Sequence, residues 1–165
     1  GPAEGEATMQ TLLMPLLERA EATASLQGRP WRGPDLWPQW IDQPSQDGTI
    51  AEIVANLLEN AFRYSPAGCS VGLCLLPDGL CVWDNGPPIP LEERDLIFER
   101  GARGSTGQDR AGTGLGLALA RSLAEQQGRK LTLCVEPSTI APDLPAQGNA
   151  FVLSWPAGAR PDPTT

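Results

Sequence analysis

Histidine is absent from this 165-residue sequence. The four cysteines, Cys69, Cys74, Cys81 and Cys134, show no C-x-x-C spacing, so a zinc site has neither imidazole nor paired thiolates to build on. Cys74 and Cys81 sit within or beside apolar runs, where a reduced cysteine behaves as a small hydrophobe. No apolar run approaches the ~20 residues of a membrane span, and no signal-peptide pattern opens the chain, which predicts a soluble fragment. Net positive charge is lacking too. At a formal charge of -8 with no stretch rich in Lys and Arg, neither a nucleic-acid face nor a membrane-surface patch is expected.

The cations that are present are unevenly placed. Arg94, Arg100, Arg103, Arg110 and Arg121 fall in one stretch around a glycine-rich turn, "RAGTGLGLALAR". An acidic chain that gathers arginine there either binds an anion or builds a solvated face of salt bridges. Glycines directly before an amphipathic helix favour the anion: the first N–H groups of the helix are free, its dipole is positive at that end, and missing Cβ atoms permit close approach.

Along the chain, residues 8–27 carry Leu12, Leu13, Leu16, Leu17, Ala20 and Ala24 at helical spacing, with Gly28 as a stop and Pro15 as an alternative start. From 29 to 44, prolines and Trp31, Trp37 and Trp40 suggest extended pieces and turns, with the tryptophans as core anchors. The spacing predicts a helix over about 49–64, opened by a Thr49/Glu52 capping box. Two apolar runs around "PDG" read as a hairpin, "LEERDLIFER" as a short helical piece, 114–127 as a helix, and "RKLTLCVE" and "NAFVLSWP" as the last strands. Adjacent strands with helices to cover one face imply a two-layer α/β sandwich with a mixed β-sheet. One domain over 8–155 accounts for the length, with 1–7 as a cloning scar or disordered leader and 156–165 as a disordered tail.

Three stretches carry chemistry. In "NLLENAFRYS", Asn56, Asn60, Arg63 and Tyr64 recur at i, i+4, i+7 and i+8, placing two amides, a guanidinium and a phenol on one helix face. Mid-helix asparagines are mildly unfavourable. Their amides could simply bond neighbouring loops, or could ligate Mg²⁺ and meet phosphate oxygens. In "VWDNGPPIP", Asp84 ends a buried-type strand, where an ionised carboxylate needs a donor such as the exocyclic amine of adenine; an aspartate before a glycine is also an ordinary turn former. The glycine turn itself fits neither a P-loop, since Leu117 follows Gly116, nor a dinucleotide fingerprint, since its spacing is G-x-G-x-G after a polar loop.

In this order, "NLLENAFRYS", "DNGPPI", "LIFERGARGS" and "GTGLGLALAR" resemble the N box, first glycine box, F box and second glycine box of the ATP-binding catalytic domain of sensor histidine kinases, in the wider group of gyrase, the Hsp90 chaperones and MutL. The resemblance spans residues 49–127 and implies a Bergerat-type ATP-binding fold, with "GNAFVLSWP" similar to the family's last strand. It implies ATP and Mg²⁺ as ligands. Asn60 would ligate the metal, and Asn56, Arg63 and Tyr64 would line phosphates and sugar. Asp84 would accept from the adenine amine, with Gly86 and Ile89 at the base. Phe98 would anchor a mobile lid over about 99–113. Arg110 would contact the terminal phosphate, while Gly112, Thr113, Gly114, Leu115 and Gly116 would close over the phosphates. One departure from the pattern D-x-G-x-G is Pro88, which stands where the second glycine is expected and has no N–H. It would weaken nucleotide binding if that N–H or a positive φ is needed; otherwise Pro87 and Pro88 would rigidify the adenine edge at little cost.

The implied function is γ-phosphate donation to a histidine on a separate dimerisation domain, for relay to a response regulator. With no histidine, this chain cannot be its own acceptor. A cytoplasmic location follows from the resemblance, with membrane attachment, if any, elsewhere in the parent protein. No acidic base stands at position 56, so free hydrolysis should be slow. The alternatives are a degenerate nucleotide-binding or protein-interaction module of the same fold, and an anti-sigma-type serine kinase.

Overall fold

The computed structural model describes residues 7–45, 48–99, 116–156, 159 and 161. Among the described residues three helices and one larger sheet dominate: α1 (Met9–Gln27), α2 (Thr49–Tyr64) and α3 (Gly116–Gln126) lie against a sheet whose strands are β2 (Trp31–Arg32), β4 (Val71–Leu76), β5 (Gly79–Asp84), β6 (Lys130–Cys134) and β7 (Asn149–Ser154). The sheet order is β2-β4-β5-β7-β6. β2 runs parallel to β4 and the other neighbours are antiparallel, so the sheet is mixed as expected. A separate antiparallel pair joins β1 (Ala7–Thr8) to β3 (Pro44–Ser45).

Strand alternation sorts the sheet into two faces. Val71, Leu73 and Leu75 of β4 pair with Asp84, Val82 and Leu80 of β5, and these continue to Asn149, Phe151 and Leu153 of β7. All of the apolar members are buried in the main core with Ile53, Leu57 and Ala61 of α2 and Ala120 and Ala124 of α3. Burial of each large side chain contributes roughly 1.5–3 kcal/mol, which is why this face fixes the register. The opposite face carries Cys81, Trp83 and Ala150, covered by Leu144, Ile140 and Ala141 of the segment between β6 and β7. Cys81 is buried, whereas Cys69, Cys74 and Cys134 are half-buried.

Several local expectations are corrected. Pro15 lies inside α1 rather than at its start. The helix begins earlier because Thr8 and Thr11 form a reciprocal capping box and because Met9 and Leu13 are fully buried. Those two burials, at ~1.5–3 kcal/mol each, offset the ~3 kcal/mol that an interior proline costs. At α2 the N-cap is Gly48, with no side-chain cap bond, so Thr49 is already helical and the Thr49/Glu52 capping box is not formed. "LEERDLIFER" makes two 3₁₀ turns, Leu91–Glu93 and Leu96–Phe98, instead of one helical piece. Among the tryptophans, Trp40 is buried edge-on to Trp155 and donates to the Leu76 carbonyl at 2.6 Å, but Trp37 is exposed.

Gly148 marks where β7 enters the sheet alongside β5. A Cβ there would lie 2.1 Å from the Asp84 carbonyl oxygen, at a φ of +157° that side chains rarely adopt. Backbone cannot yield as a side chain does, so Gly148→Ala should destabilise the fold by about 1–3 kcal/mol. Urea denaturation checks this; an unchanged midpoint would show that β7 can re-enter the sheet by another route.

Candidate functional site

The alternation that buries Leu80 and Val82 beneath the helices places Asp84 on the same face, one step further along β5. Its register partner on β7 is Asn149, and each is only 6% exposed, so the apolar face of the sheet ends in a polar pair. Asp84 Oδ1 accepts from the Gly86 N–H at 2.8 Å and from Asn149 Nδ2 at 3.3 Å. Both bonds use the same oxygen. They hold the carboxyl plane fixed while leaving the acceptor capacity of Oδ2 unused by them. Gly86 is buried where a side chain would not fit, since a Cβ would approach Asp84 Oδ1 and Pro66 Cδ to 3.0 Å each.

Asn149 also organises the proline stretch. Its Nδ2 donates to the Pro87 carbonyl at 2.9 Å, and its Oδ1 accepts from the Ile89 N–H at 2.8 Å. One amide thus satisfies the backbone on either side of Pro88. The Ile89 carbonyl accepts from Arg94 Nε at 3.0 Å. Asn149 was missed by sequence reasoning, although its position mirrors that of Asp84: a polar residue at the end of an alternating apolar strand.

Burial pushes the Asp84 carboxyl above its ordinary value, only partly opposed by the Gly86 and Asn149 hydrogen bonds and by the field of Arg29. The charge is therefore costly in the folded state unless a further donor arrives.

On α2, Asn56 and Asn60 are half-buried beside the apolar stripe. Asn56 Nδ2 is buried with no hydrogen-bond partner among the described residues, an uncommon and expensive condition for an amide. Gly116 opens α3 beside it: a Cβ on Gly116 would be 3.9 Å from Asn56 Oδ1. Arg63 pairs with Glu59 at 2.9 Å on the surface, a contact of the kind worth under ~1 kcal/mol, so its guanidinium can be recruited. Tyr64 is the last residue of α2. The turn that follows brings Pro66 against Gly86, linking the end of α2 to the carboxylate.

Phe98 is edge-on to Phe151 at 6.0 Å, with the Arg121 guanidinium 4.9 Å from its ring centre. Arg121 also pairs with Glu125, so it and Arg94 are occupied within the protein rather than forming an open cationic cluster. Arg100, Arg103, Arg110, Gly112, Thr113, Gly114 and Leu115, and with them most of the expected lid, lie outside the described residues.

The arrangement combines a buried carboxylate with a free acceptor oxygen, an unsatisfied amide donor, a second helical amide and a glycine-opened helix. Amide oxygens and a helix N-terminus suit a hard cation and its phosphates, and the carboxylate suits an amine. The residues present therefore fit Mg²⁺ and an adenine nucleotide.

Comparison with known proteins places the chain in an ATPase family. The profile of the histidine kinase-, DNA gyrase B-, and HSP90-like ATPase family matches residues 46–159. Sensor histidine kinase Hik2 of Thermosynechococcus vestitus is 35% identical over 159 residues, which cover 92% of this chain and 39% of that protein. The solved mycobacterial sensor histidine kinase MprB is similar at a TM-score of 0.59 and 26% identity, covering 86% of this chain and 91% of that one. Full-length ShkA, solved in complex with AMPPNP, is similar in fold at a TM-score of 0.67 and 21% identity, covering 97% of this chain and 32% of that one.

The raised Asp84 carboxyl has a pH signature. The folded state binds this proton more tightly than the unfolded chain, so the associated stability is complete below the ordinary value of 3.8 and is lost as pH rises through the folded value. Urea denaturation at about pH 4 and about pH 7 should show Asp84→Asn gaining stability relative to the unsubstituted protein at the higher pH. An equal difference at both pH values would mean that burial does not hold the carboxyl up.

Proposed function

Because the chain belongs to the histidine kinase-, DNA gyrase B- and HSP90-like ATPase family and is an ATP-binding catalytic domain of the sensor histidine kinase kind, we propose that it binds Mg²⁺-ATP between β5, α2 and α3 and donates the γ-phosphate to a histidine on a separate dimerisation domain, for relay to a response regulator. The observation that carries the nucleotide reading is the Asp84 side chain, buried and fixed through Oδ1 alone. Its other oxygen accepts from the adenine amine, which supplies the donor that the buried charge lacks. Gly86 and Ile89 bound the base, and Asn149 holds the Pro87–Ile89 backbone at its edge.

Asn60 is the metal ligand, through its amide oxygen. Asn56 Nδ2 donates to a phosphate oxygen, and Arg63 and Tyr64 complete the phosphate and sugar side, with Gly116 leaving room at the start of α3. Bound Mg²⁺ supplies charge neutralisation on the phosphates. The chain's own contribution is position and polarity, not a covalent nucleophile. Asn56 is neutral and cannot serve as a general base for water, so transfer to an external acceptor is favoured over hydrolysis. The acceptor histidine comes from outside these residues, which contain none. The cytoplasmic location expected from the family is part of this reading; among the described residues no helix is long and apolar enough to cross a membrane.

A second reading, a degenerate nucleotide-binding or protein-interaction module, is favoured by Pro88, which offers no N–H where the family pattern has glycine. Calorimetric titration of Mg²⁺-ATP separates the two. Binding should be measurable, should weaken without Mg²⁺, and should weaken at least about tenfold, or ~1.4 kcal/mol, in Asn60→Ala. A folded protein that takes up no nucleotide would establish the degenerate module instead.

Steady-state phosphate release by the purified protein should stay near background even at saturating ATP. Rapid turnover would reveal a water-activating base and overturn the transfer reading.

A further inference from the structure

One buried cation takes no part in the nucleotide contacts described above. Arg29 is 7% exposed and follows the left-handed Gly28 that ends α1. The Arg29 N–H returns to the Ala24 carbonyl at 3.0 Å, and this C-terminal motif turns the chain inward, so the side chain enters the protein instead of solvent. The guanidinium then divides its donors between two backbone carbonyls and two side-chain oxygens. Nε donates to the Cys69 carbonyl at 2.8 Å, Nη1 to Gln27 Oε1 at 3.0 Å and to the Phe62 carbonyl at 3.4 Å, and Nη2 to Ser65 Oγ. Its Cζ lies 5.6 Å from the centre of the Phe62 ring.

Apart from Gln27 at the end of α1, each of these partners borders the site. Phe62 and Ser65 belong to the last turn and cap of α2, which carries Asn60, Arg63 and Tyr64. Cys69 closes the turn 66–69, in which its N–H bonds the Pro66 carbonyl at 3.2 Å. That turn is the wall behind Gly86: a Cβ on Gly86 would lie 3.0 Å from Pro66 Cδ and 3.5 Å from Cys69 Sγ. Gly86 in turn holds Asp84 Oδ1. A planar fork of fixed geometry is suited to tying converging carbonyls at set distances, which a lysine ammonium cannot reproduce.

We propose that Arg29 is a positioning residue of the nucleotide site, clamping the end of α2 and the 66–69 turn so that Gly86 and Asp84 are held at the adenine position. The inference rests on the nucleotide reading given above for its functional consequence, but the clamp itself is a property of the nucleotide-free protein. Arg29's field on Asp84 points the same way, since it favours the ionised, accepting carboxylate.

The test compares the unsubstituted protein with Arg29→Gln, Arg29→Lys and the milder Ser65→Ala, and with Leu131→Ala as a core control remote from these contacts. Two quantities are read: Mg²⁺-ADP affinity by calorimetry well below each melting temperature, and the Gly86 amide shift in nucleotide-free ¹H–¹⁵N spectra. Arg29→Gln should weaken Mg²⁺-ADP at least tenfold and move the Gly86 amide. Arg29→Lys should recover part of the affinity, and Ser65→Ala should move both readouts in the same direction by less. Leu131→Ala should lower the melting temperature while leaving both within twofold or unmoved. Arg29 variants that behave as Leu131→Ala does would overturn the proposal. If the unsubstituted protein binds no Mg²⁺-ADP while the Gly86 amide still moves in Arg29→Gln and Ser65→Ala, the clamp stands and the nucleotide reading fails.

Discussion

The sheet face that packs under the helices would be apolar from end to end were it not for Asp84 and Asn149, opposed across β5 and β7. A carboxylate and an amide buried there are costly unless each donor and acceptor is used. Two bonds converge on Asp84 Oδ1, and the Asn149 amide spends its remaining capacity on Pro87 and Ile89. From this constraint follow the features that surround it: Gly86 must lack a side chain, Gly148 must pass within touching distance of the Asp84 carbonyl, and the turn after α2 must press Pro66 into place. The apolar core fixes where the pair sits. The pair fixes the shape of the end of the sheet.

This order of dependence bears on Pro88. A glycine at that position supplies freedom and an N–H; proline supplies neither. What the protein has instead is a segment whose neighbouring backbone groups are both claimed by Asn149, so its course is set without any bond from residue 88 itself. Rigid placement lowers the entropy lost when a ligand arrives. The stretch around the two prolines thus has a physical partner in β7, a side chain more than fifty residues away in sequence.

Much of the fold was legible because it rests on periodicity. The helical stripe Ile53, Leu57, Ala61 and the alternation in β4, β5 and β7 are local signals, and the structure follows them. The errors arose where tertiary burial outweighed a local rule, as with Met9 and Leu13 drawing α1 past Pro15, or where two local solutions compete, as at Gly48 and Thr49. In the candidate site, Asn56 and Asp84 drew attention in the sequence because their chemistry is at odds with their surroundings: an amide in a good helix, an acid at the end of an apolar strand. Asn149 and Arg29 were not, because nothing local is anomalous about them. Their roles exist only once β7 lies beside β5 and the end of α1 meets the end of α2.

The unsatisfied Asn56 amide and the raised Asp84 carboxyl express one condition from two sides of the site. Among the described residues one is a donor without an acceptor, the other an acceptor whose charge lacks enough donors, and both are set on regular elements that hold them apart. If the protein were optimised for stability alone, a buried amide donor left without an acceptor would be replaced by an apolar residue, and a buried carboxyl would be given enough donors to hold its charge. Retaining both places polar groups where a ligand bearing an amine at one end and anionic oxygens at the other satisfies them together. Under the proposed nucleotide reading, the free energy released by that satisfaction favours such a ligand, so the same groups that weaken the empty protein would select what fills it.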